Sequence, residues 1–284
     1  MNLADTDITQ ILSKGNRLRA RKVINCLNEV LTDPTPTATH DLSTSLRRLL
    51  MGHQVTNQLY RWKLFRKKDL SQIQIFRRQL GNVRDIQEIT LKIQNRTPVT
   101  NTAKCFLNNL IEKEIDVTQS IVAAIQALDH TPIVSCAEVT YYHSLLQATL
   151  KKSLPDLITN SYTKVASLFE SAVMGSDDQA LHQMRVRYKR LRYSIELLAP
   201  ALVDISKAKL AYLRSFQQIL GEAHDWLIID EAIKEYILNT GQTEVDQLML
   251  KIEQLRFDAH QKARKYFADE RSNLQFFISS ITSK

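Results

Sequence analysis

Glycine and proline are scarce in this chain of 284 residues, which contains only six of each. The long stretches between them leave few turn positions for a many-stranded sheet, so the sequence favours long helices and an all-α class. Cysteine is scarce too, because Cys26, Cys105 and Cys136 lie far apart and form no CxxC pair. Neither a disulfide framework nor a zinc site is indicated, and we expect no metal and no cofactor.

The sequence shows neither a secretory signal nor a membrane span. Its first ten residues, MNLADTDITQ, lack the basic start and the apolar run of a signal peptide. No stretch approaches the roughly 18 uncharged apolar residues that a transmembrane helix requires. We therefore expect a cytoplasmic protein that makes no membrane contact.

Hydrophobic residues make up 44% of the chain, and the formal net charge is +8. The hydrophobic share is typical of a globular protein with one or two buried cores. The positive charge favours an anionic partner, such as nucleic acid, a phosphate polymer or a membrane surface. The total charge does not choose among these partners, so the position of the cations carries more information.

The densest cationic cluster lies between Leu181 and Leu198, where five basic residues occur in eleven positions. At 100° per residue one stripe of a helix, spanning about 80°, would hold a histidine and three cations. These are His182, Arg185, Lys189 and Arg192. An opposite stripe is apolar and predicts the face that a neighbouring helix covers, namely Met184, Tyr188, Leu191, Ile195 and Leu198. Arg187 and Arg190 fall beside the cationic stripe.

The segment from His40 to Met51 repeats this pattern, with apolar residues at the same offsets from the histidine and cations at Arg47 and Arg48. Each copy is followed by a similar phrase, at 76–85 and at 216–225. The offset of 140 to 142 residues predicts an internal duplication. We expect two tandem bundles of about four to five helices, at 1–142 and 143–284, related by a pseudo-twofold axis.

The glycines and prolines predict where helices end. The predicted helices cover 5–31, 40–60, 69–80, 86–95, 103–129, 139–154, 156–174, 181–198, 204–220, 226–239 and 245–267. Gly81 and Gly221 are predicted to follow helix C-termini, and Asp85 and Asp225 to cap the next helices. Such a helix start would accept phosphate readily. Pro155 is predicted to separate two helices.

The pattern H-x-x-R-V-x-x-K-R-L-R at His182, followed by L-G-x-x-(R/H)-D, resembles the CHAD family. Both halves of the chain match the family repeat, so the resemblance covers nearly the whole sequence. It implies two helical bundles related by pseudo-twofold symmetry. It also implies a basic surface or channel that binds inorganic polyphosphate without catalysis. Polyphosphate granules are then a candidate location within the cytoplasm.

The resemblance also implies binding residues in both halves. The second copy supplies His182, Arg185, Lys189, Arg190 and Arg192, and the first supplies His40, Arg47 and Arg48. Ser43 and Leu50 replace two cations of the first copy, whereas the following helix adds Arg77, Arg78 and Arg84. The basic run of the first helix adds Arg19 and Lys22. We expect both halves to supply one shared site, in which the histidines either contact the ligand or only pack.

Two other functions stay open at this point. Trp62 and Phe65 alternate with cations in a segment that could stack on nucleic-acid bases, although on a helix such alternation more often means core rings with solvated cations. No helix-turn-helix, zinc finger or RNP-like phrase accompanies it, so nucleic acid is expected only as a non-specific competitor. A phosphohydrolase could use His182, His224 and Asp225. The acidic run Glu112–Asp116 departs from a metal-binding ExExK motif, and we expect no enzymatic activity.

Overall fold

The structure is a computed structural model that describes residues 7–61, 63–97, 100–138, 147–173, 178–202, 205–241 and 246–282. Within these ranges every regular secondary-structure element is a helix, which confirms the predicted all-α class. The helices are α1 (Ile8–Thr32), α2 (Pro36–Tyr60), α3 (Lys67–Arg96), α4 (Asn101–Ala127), α5 (Thr131–Glu138), α6 (Gln147–Ala166), α7 (Phe169–Val173), α8 (Asp178–Leu198), α9 (Lys207–Thr240) and α10 (Asp246–Thr282).

Several helix ends follow from local chemistry. The Asp7 carboxylate accepts hydrogen bonds from the N–H groups of Thr9 and Gln10 at the start of α1. Thr35 caps α2, and Pro36 occupies its first position, where the missing N–H costs nothing. The linker between these helices is therefore only residues 33–35, shorter than the gap of 32–39 between the predicted helices 5–31 and 40–60. Gly241 ends α9 with a left-handed φ of 65°.

The predicted helix ends at Gly81 and Gly221 were wrong, because both glycines lie inside continuous helices, α3 and α9. An interior glycine costs only about 1 kcal/mol relative to alanine, which the buried apolar faces on both sides of it offset. In α3 those faces include Phe76 and Leu80 before the glycine and Ile89 after it. Asp85 and Asp225 are therefore mid-helix residues, and no helix start is available there for phosphate.

Pro155 likewise lies inside a helix, α6, and does not separate two helices as predicted. Its neighbours Leu154 and Ile158 are fully buried, so core packing holds the helix together despite the lost backbone hydrogen bond. Phe65 is buried and packs against the ring of His53, with 5.3 Å between the centroids, as the core interpretation of its segment predicts. Trp62 and the predicted helical positions 139–146, 174, 204 and 245 lie outside the described residues.

The buried apolar side chains form two clusters. The smaller one joins α1–α5 and includes Val23, Leu46, Phe76 and Ile125. The larger one combines α6–α10 with ends of the earlier helices, so that the core continues between the two halves of the sequence. The predicted boundary between residues 142 and 143 falls outside the described ranges, and the division into two repeats stays a prediction.

Four helices meet around one cleft. Helix α2 packs on α3 and on α8, while α9 packs on α8 and on α3. The hydroxyl of Tyr188 on α8 donates a hydrogen bond to the carbonyl of Leu213 on α9 at 3.0 Å, which links these two helices. No helix in the described part of the chain has the length and apolar character needed to cross a membrane.

Candidate anion-binding cleft

The cleft between α2, α3, α8 and α9 has a volume of about 480 Å³ and is lined by side chains from all four helices. Seven of the lining residues are lysine or arginine, whereas only Glu222 and Asp225 are acidic. The cationic residues are Arg47, Arg84, Lys92, Arg96, Arg185, Lys189 and Arg192. The remaining polar lining consists of His40, Thr44, Tyr193, Gln217 and Gln218. This composition suits a small or extended anion.

Among the residues that line the cleft, Arg185 and Lys189, one helical turn apart on α8, have the most strongly lowered pKa values. Burial and, after it, the nearby guanidinium groups of Arg185 and Arg47 together lower the pKa of Lys189 to about 6, although Asp225 acts against them. Burial also lowers the pKa of Arg185 to about 10. No carboxylate of the described residues lies within 4.0 Å of either side chain, and the Nε of Arg185 is buried without a hydrogen-bond acceptor.

Arg47 on α2 faces these two residues across the cleft. Burial is the main cause that lowers its pKa, followed by the charge of Arg84 on α3. Its Nη2 donates a hydrogen bond to the hydroxyl of Ser43 at 3.2 Å, a neutral partner that compensates no charge. Three helices therefore place like charges close together, an arrangement that an added anion would stabilise.

Arg192 differs from the other cations because its charge is already compensated. It is only 5% exposed, its Nη1 donates to Glu196 at 2.6 Å and its Nε donates to Gln217 at 2.7 Å. Its guanidinium also lies 4.4 Å from the centroid of the Tyr193 ring. Arg192 therefore fixes the positions of Tyr193 and Gln217 in the cleft wall, in addition to the charge it brings.

Two histidines pair beside the cleft. The Nδ1 atoms of His182 on α8 and His224 on α9 lie 3.0 Å apart, so one ring donates a hydrogen bond and the other accepts it. Burial lowers the pKa of both rings, that of His224 to about 2, and the cations Arg185 and Lys189 act in the same direction. The neutral pair therefore joins α8 to α9.

A family model, the CHAD domain, matches residues 16–234. This chain belongs to the CHAD domain family. The match covers all of α2, α3 and α8 and the part of α9 that lines the cleft. The last residues of α9 and the whole of α10 lie beyond it.

Solved structures share the fold of this CHAD protein. The crystal structure of the CHAD domain from the plant Ricinus communis superposes with a TM-score of 0.66 at 15% sequence identity, and the alignment covers 99% of this chain and 93% of that one. The structure of PptA from Streptomyces chartreusis gives a TM-score of 0.62 at 13% identity, covering 98% and 100%. No curated protein sequence matches this chain.

The cleft of this CHAD protein brings together six of the thirteen predicted binding residues, namely His40, Arg47, Arg84, Arg185, Lys189 and Arg192. His182 lies beside the cleft, where it pairs with His224. Arg77 is close enough to Arg47 to lower the pKa of the Arg47 side chain. The guanidinium of Arg48 lies over the ring of Tyr193, 5.9 Å from its centroid. The other predicted residues, Arg19, Lys22, Arg78 and Arg190, do not line the cleft.

Lys92 and Arg96 line the cleft but were not predicted as binding residues. They continue a stripe of α3 at four-residue spacing, after Arg84 and Glu88. Predicting a helix end at Gly81 moved Arg84 out of this helix and hid the stripe. Lys92 pairs with Asp225 at 3.1 Å and lies over the ring of Trp226, 5.5 Å from its centroid, so this contact joins α3 to α9.

Proposed function

We propose that this CHAD protein binds inorganic polyphosphate in the cleft and does not cleave it. The observation that carries the proposal is the burial of Arg185 and Lys189 beside further cations, with Arg47 opposite and no carboxylate of the described residues within 4.0 Å of either side chain. Burying these groups in their charged form costs free energy that the attraction of Asp225 does not fully recover, since both pKa values remain lowered. A bound polyanion would recover it.

The ligand's chemistry fits this arrangement. Polyphosphate is a flexible chain with about one negative charge on each unit, and helices from two sides present cations along it. Guanidinium groups such as that of Arg185 give two parallel hydrogen bonds to phosphate oxygens, and Lys189 gives a compact point charge. Gln217 and Gln218 add uncharged donors to the wall. Because many contacts share the affinity, binding should weaken steeply as salt rises.

The carboxylates in and beside the cleft also favour binding over hydrolysis, because they already pair with cations. Asp225 is engaged with Lys92, and Glu88 lies 3.5 Å from the guanidinium of Arg84. His224, which the hydrolase hypothesis would use as an acid or base, has a pKa of about 2 because it is buried near cations. We therefore expect purified protein to release no phosphate from polyphosphate.

Nucleic acid is the second candidate ligand, but the segment that suggested it offers no described aromatic face. Phe65 is 2% exposed and packs on His53, so its ring cannot stack on bases. Long-chain polyphosphate should therefore displace DNA or RNA from the protein, whereas equal masses of nucleic acid should not displace polyphosphate.

The test is a titration with fluorescently labelled polyphosphate at fixed salt, comparing wild type with Arg185→Gln. Loss of a buried charge-assisted hydrogen bond of about 1.5–3 kcal/mol weakens binding at least tenfold. Arg190→Gln is the matched control, because Arg190 is an exposed cation of the same helix outside the cleft lining. Its loss should cost about 0.2–1 kcal/mol, no more than about fivefold. Equal losses in the two variants would contradict the cleft as the binding site.

A further inference from the structure

A second group of cations lies next to the cleft, where α1, α2, α8 and α9 approach one another. It consists of Arg19, Arg48, Arg192 and Arg214 around a single carboxylate, Glu196, and we call it the arginine cluster. Glu196 accepts from Arg192 at 2.6 Å, and the Nε of Arg214 lies 3.5 Å from the same oxygen. Glu196 also attracts Arg19 electrostatically.

Arg19 is built into the fold rather than extended into solvent. Two glycines border it, since a Cβ at Gly15 would lie 3.5 Å from its Nη1 and a Cβ at Gly52 would lie 3.8 Å from its Cδ. The same Gly15 Cβ would meet Leu197 on α8 at 2.5 Å, so glycine is what allows α1 to approach α8 here. At this approach of the helices the guanidinium of Arg19 is close enough to Glu196 for the carboxylate to raise its pKa.

The charges of the arginine cluster do not balance. Four guanidinium groups share one described carboxylate, and the closest contact of that carboxylate is with Arg192. Burial lowers the pKa of Arg19 to about 10, Glu196 acts against this change, and Arg48 adds to it. No carboxylate of the described residues lies within 4.0 Å of Arg19 or Arg48. Arg48 and Arg214 are exposed, so an anion from solvent can reach this cluster.

Tyr193 connects the arginine cluster to the cleft. Its ring is part of the cleft wall, and the guanidinium groups of both Arg48 and Arg192 lie within 6 Å of its centroid, at 5.9 and 4.4 Å. Along α8 the rise from Arg185 in the cleft to Arg192 in the cluster is about 10 Å. A single extended polyanion can therefore contact both places without leaving the protein surface.

We propose that the arginine cluster is a second phosphate subsite, which holds a further segment of a polyphosphate chain whose other units lie in the cleft. This inference rests on the proposed function and adds to it a dependence on chain length. A chain of a few phosphates fills the cleft alone, whereas a long chain also reaches Arg19, Arg48 and Arg214. The cluster then selects long chains over short ones.

The experiment compares tripolyphosphate with long-chain polyphosphate, titrated into wild type, Arg48→Gln and Arg19→Gln at the same salt. The loss of a cluster cation should weaken long-chain binding about threefold to fivefold and change tripolyphosphate binding less than about twofold. Arg48→Gln removes an exposed side chain and leaves folding unaffected, which a thermal melt verifies. Lys22→Gln is the matched control, because Lys22 is an exposed cation one turn beyond Arg19 on α1.

The outcomes separate the two proposals. A selective loss for long chains in the cluster variants, absent in Lys22→Gln, supports the second subsite. Equal losses for both chain lengths, or no loss for either, would overturn it while leaving the cleft as the binding site. If wild type bound neither chain length, the proposed function itself would fail, and the subsite with it.

Discussion

Polyphosphate binding at neutral pH should take up a proton, and Lys189 is the group from which this follows. In the free protein its pKa is about 6, because burial and the charges of Arg185, Arg47 and Arg84 disfavour the ammonium form. At pH 7 about one tenth of the protein then carries the charge on this side chain. A polyanion in the cleft favours the charged form and raises this pKa again.

The size and sign of the effect follow from that shift. If the pKa of Lys189 rises well above 7 in the complex, each binding event at pH 7 takes up nearly one proton at this residue. The affinity should then increase as pH falls from about 8 to 6, by up to about tenfold per pH unit from this group alone. Below the free-state pKa of about 6 the contribution levels off.

The assay is isothermal titration calorimetry at pH 7 in buffers with different ionisation enthalpies, which gives the number of protons taken up. His40 and His182 also have lowered pKa values and can contribute protons of their own. The difference between wild type and Lys189→Gln isolates the lysine, and it should approach one proton. If both proteins bind polyphosphate and take up the same number of protons, the reasoning about Lys189 is refuted.

Two further predictions concern stability. Lys189→Met should increase the free energy of unfolding of the free protein at pH 7 by roughly 1 kcal/mol or more, and so raise its melting temperature, because it removes a poorly solvated amine. It should also flatten the rise of stability with pH above 6, since the unfolded chain binds a proton at this residue and the folded chain does not. Gly52→Ala should lower the free energy of unfolding by about 1–3 kcal/mol, and with it the melting temperature, because its Cβ would collide with Asn16, which is buried and held by Thr56 at 2.8 Å. An unchanged melting temperature in either variant would contradict the corresponding argument.

The sequence predicted the helical class and the cationic stripe of α8 well, because both depend on a strong local period. Arg185, Lys189 and Arg192 all line the cleft as the period of α8 predicts, and Met184, Tyr188 and Leu191 are fully buried on the opposite face. A hydrophobic period over five turns outweighs the local preferences of individual residues.

Positions where one residue was taken as a helix boundary were predicted poorly. Gly81, Gly221 and Pro155 are weak points in isolation, but the buried faces on both sides continue the helices through them. Glycine and proline preferences amount to about 1 and 3 kcal/mol, which packing along a long helix exceeds. Because of this error Lys92 and Arg96 were not predicted as cleft residues, although a continuous α3 places them in one stripe with Arg84.

Long-range pairings could not be predicted from the sequence at all. Nothing local shows that Lys92 on α3 pairs with Asp225 on α9, or that His182 meets His224 across α8 and α9. These contacts depend on how helices from distant parts of the chain pack. They decide which cations are available to an anion, so the binding residues could only be narrowed down once the packing was known.

The most direct test of the account is a crystal structure of the protein with bound polyphosphate. We expect phosphate units between α2, α3, α8 and α9, with oxygens within hydrogen-bond distance of the Arg185 guanidinium and the Lys189 amine and the His182–His224 pair intact. The account would be contradicted by phosphate density confined to other surfaces, with only water in the cleft and with its side chains in unchanged positions.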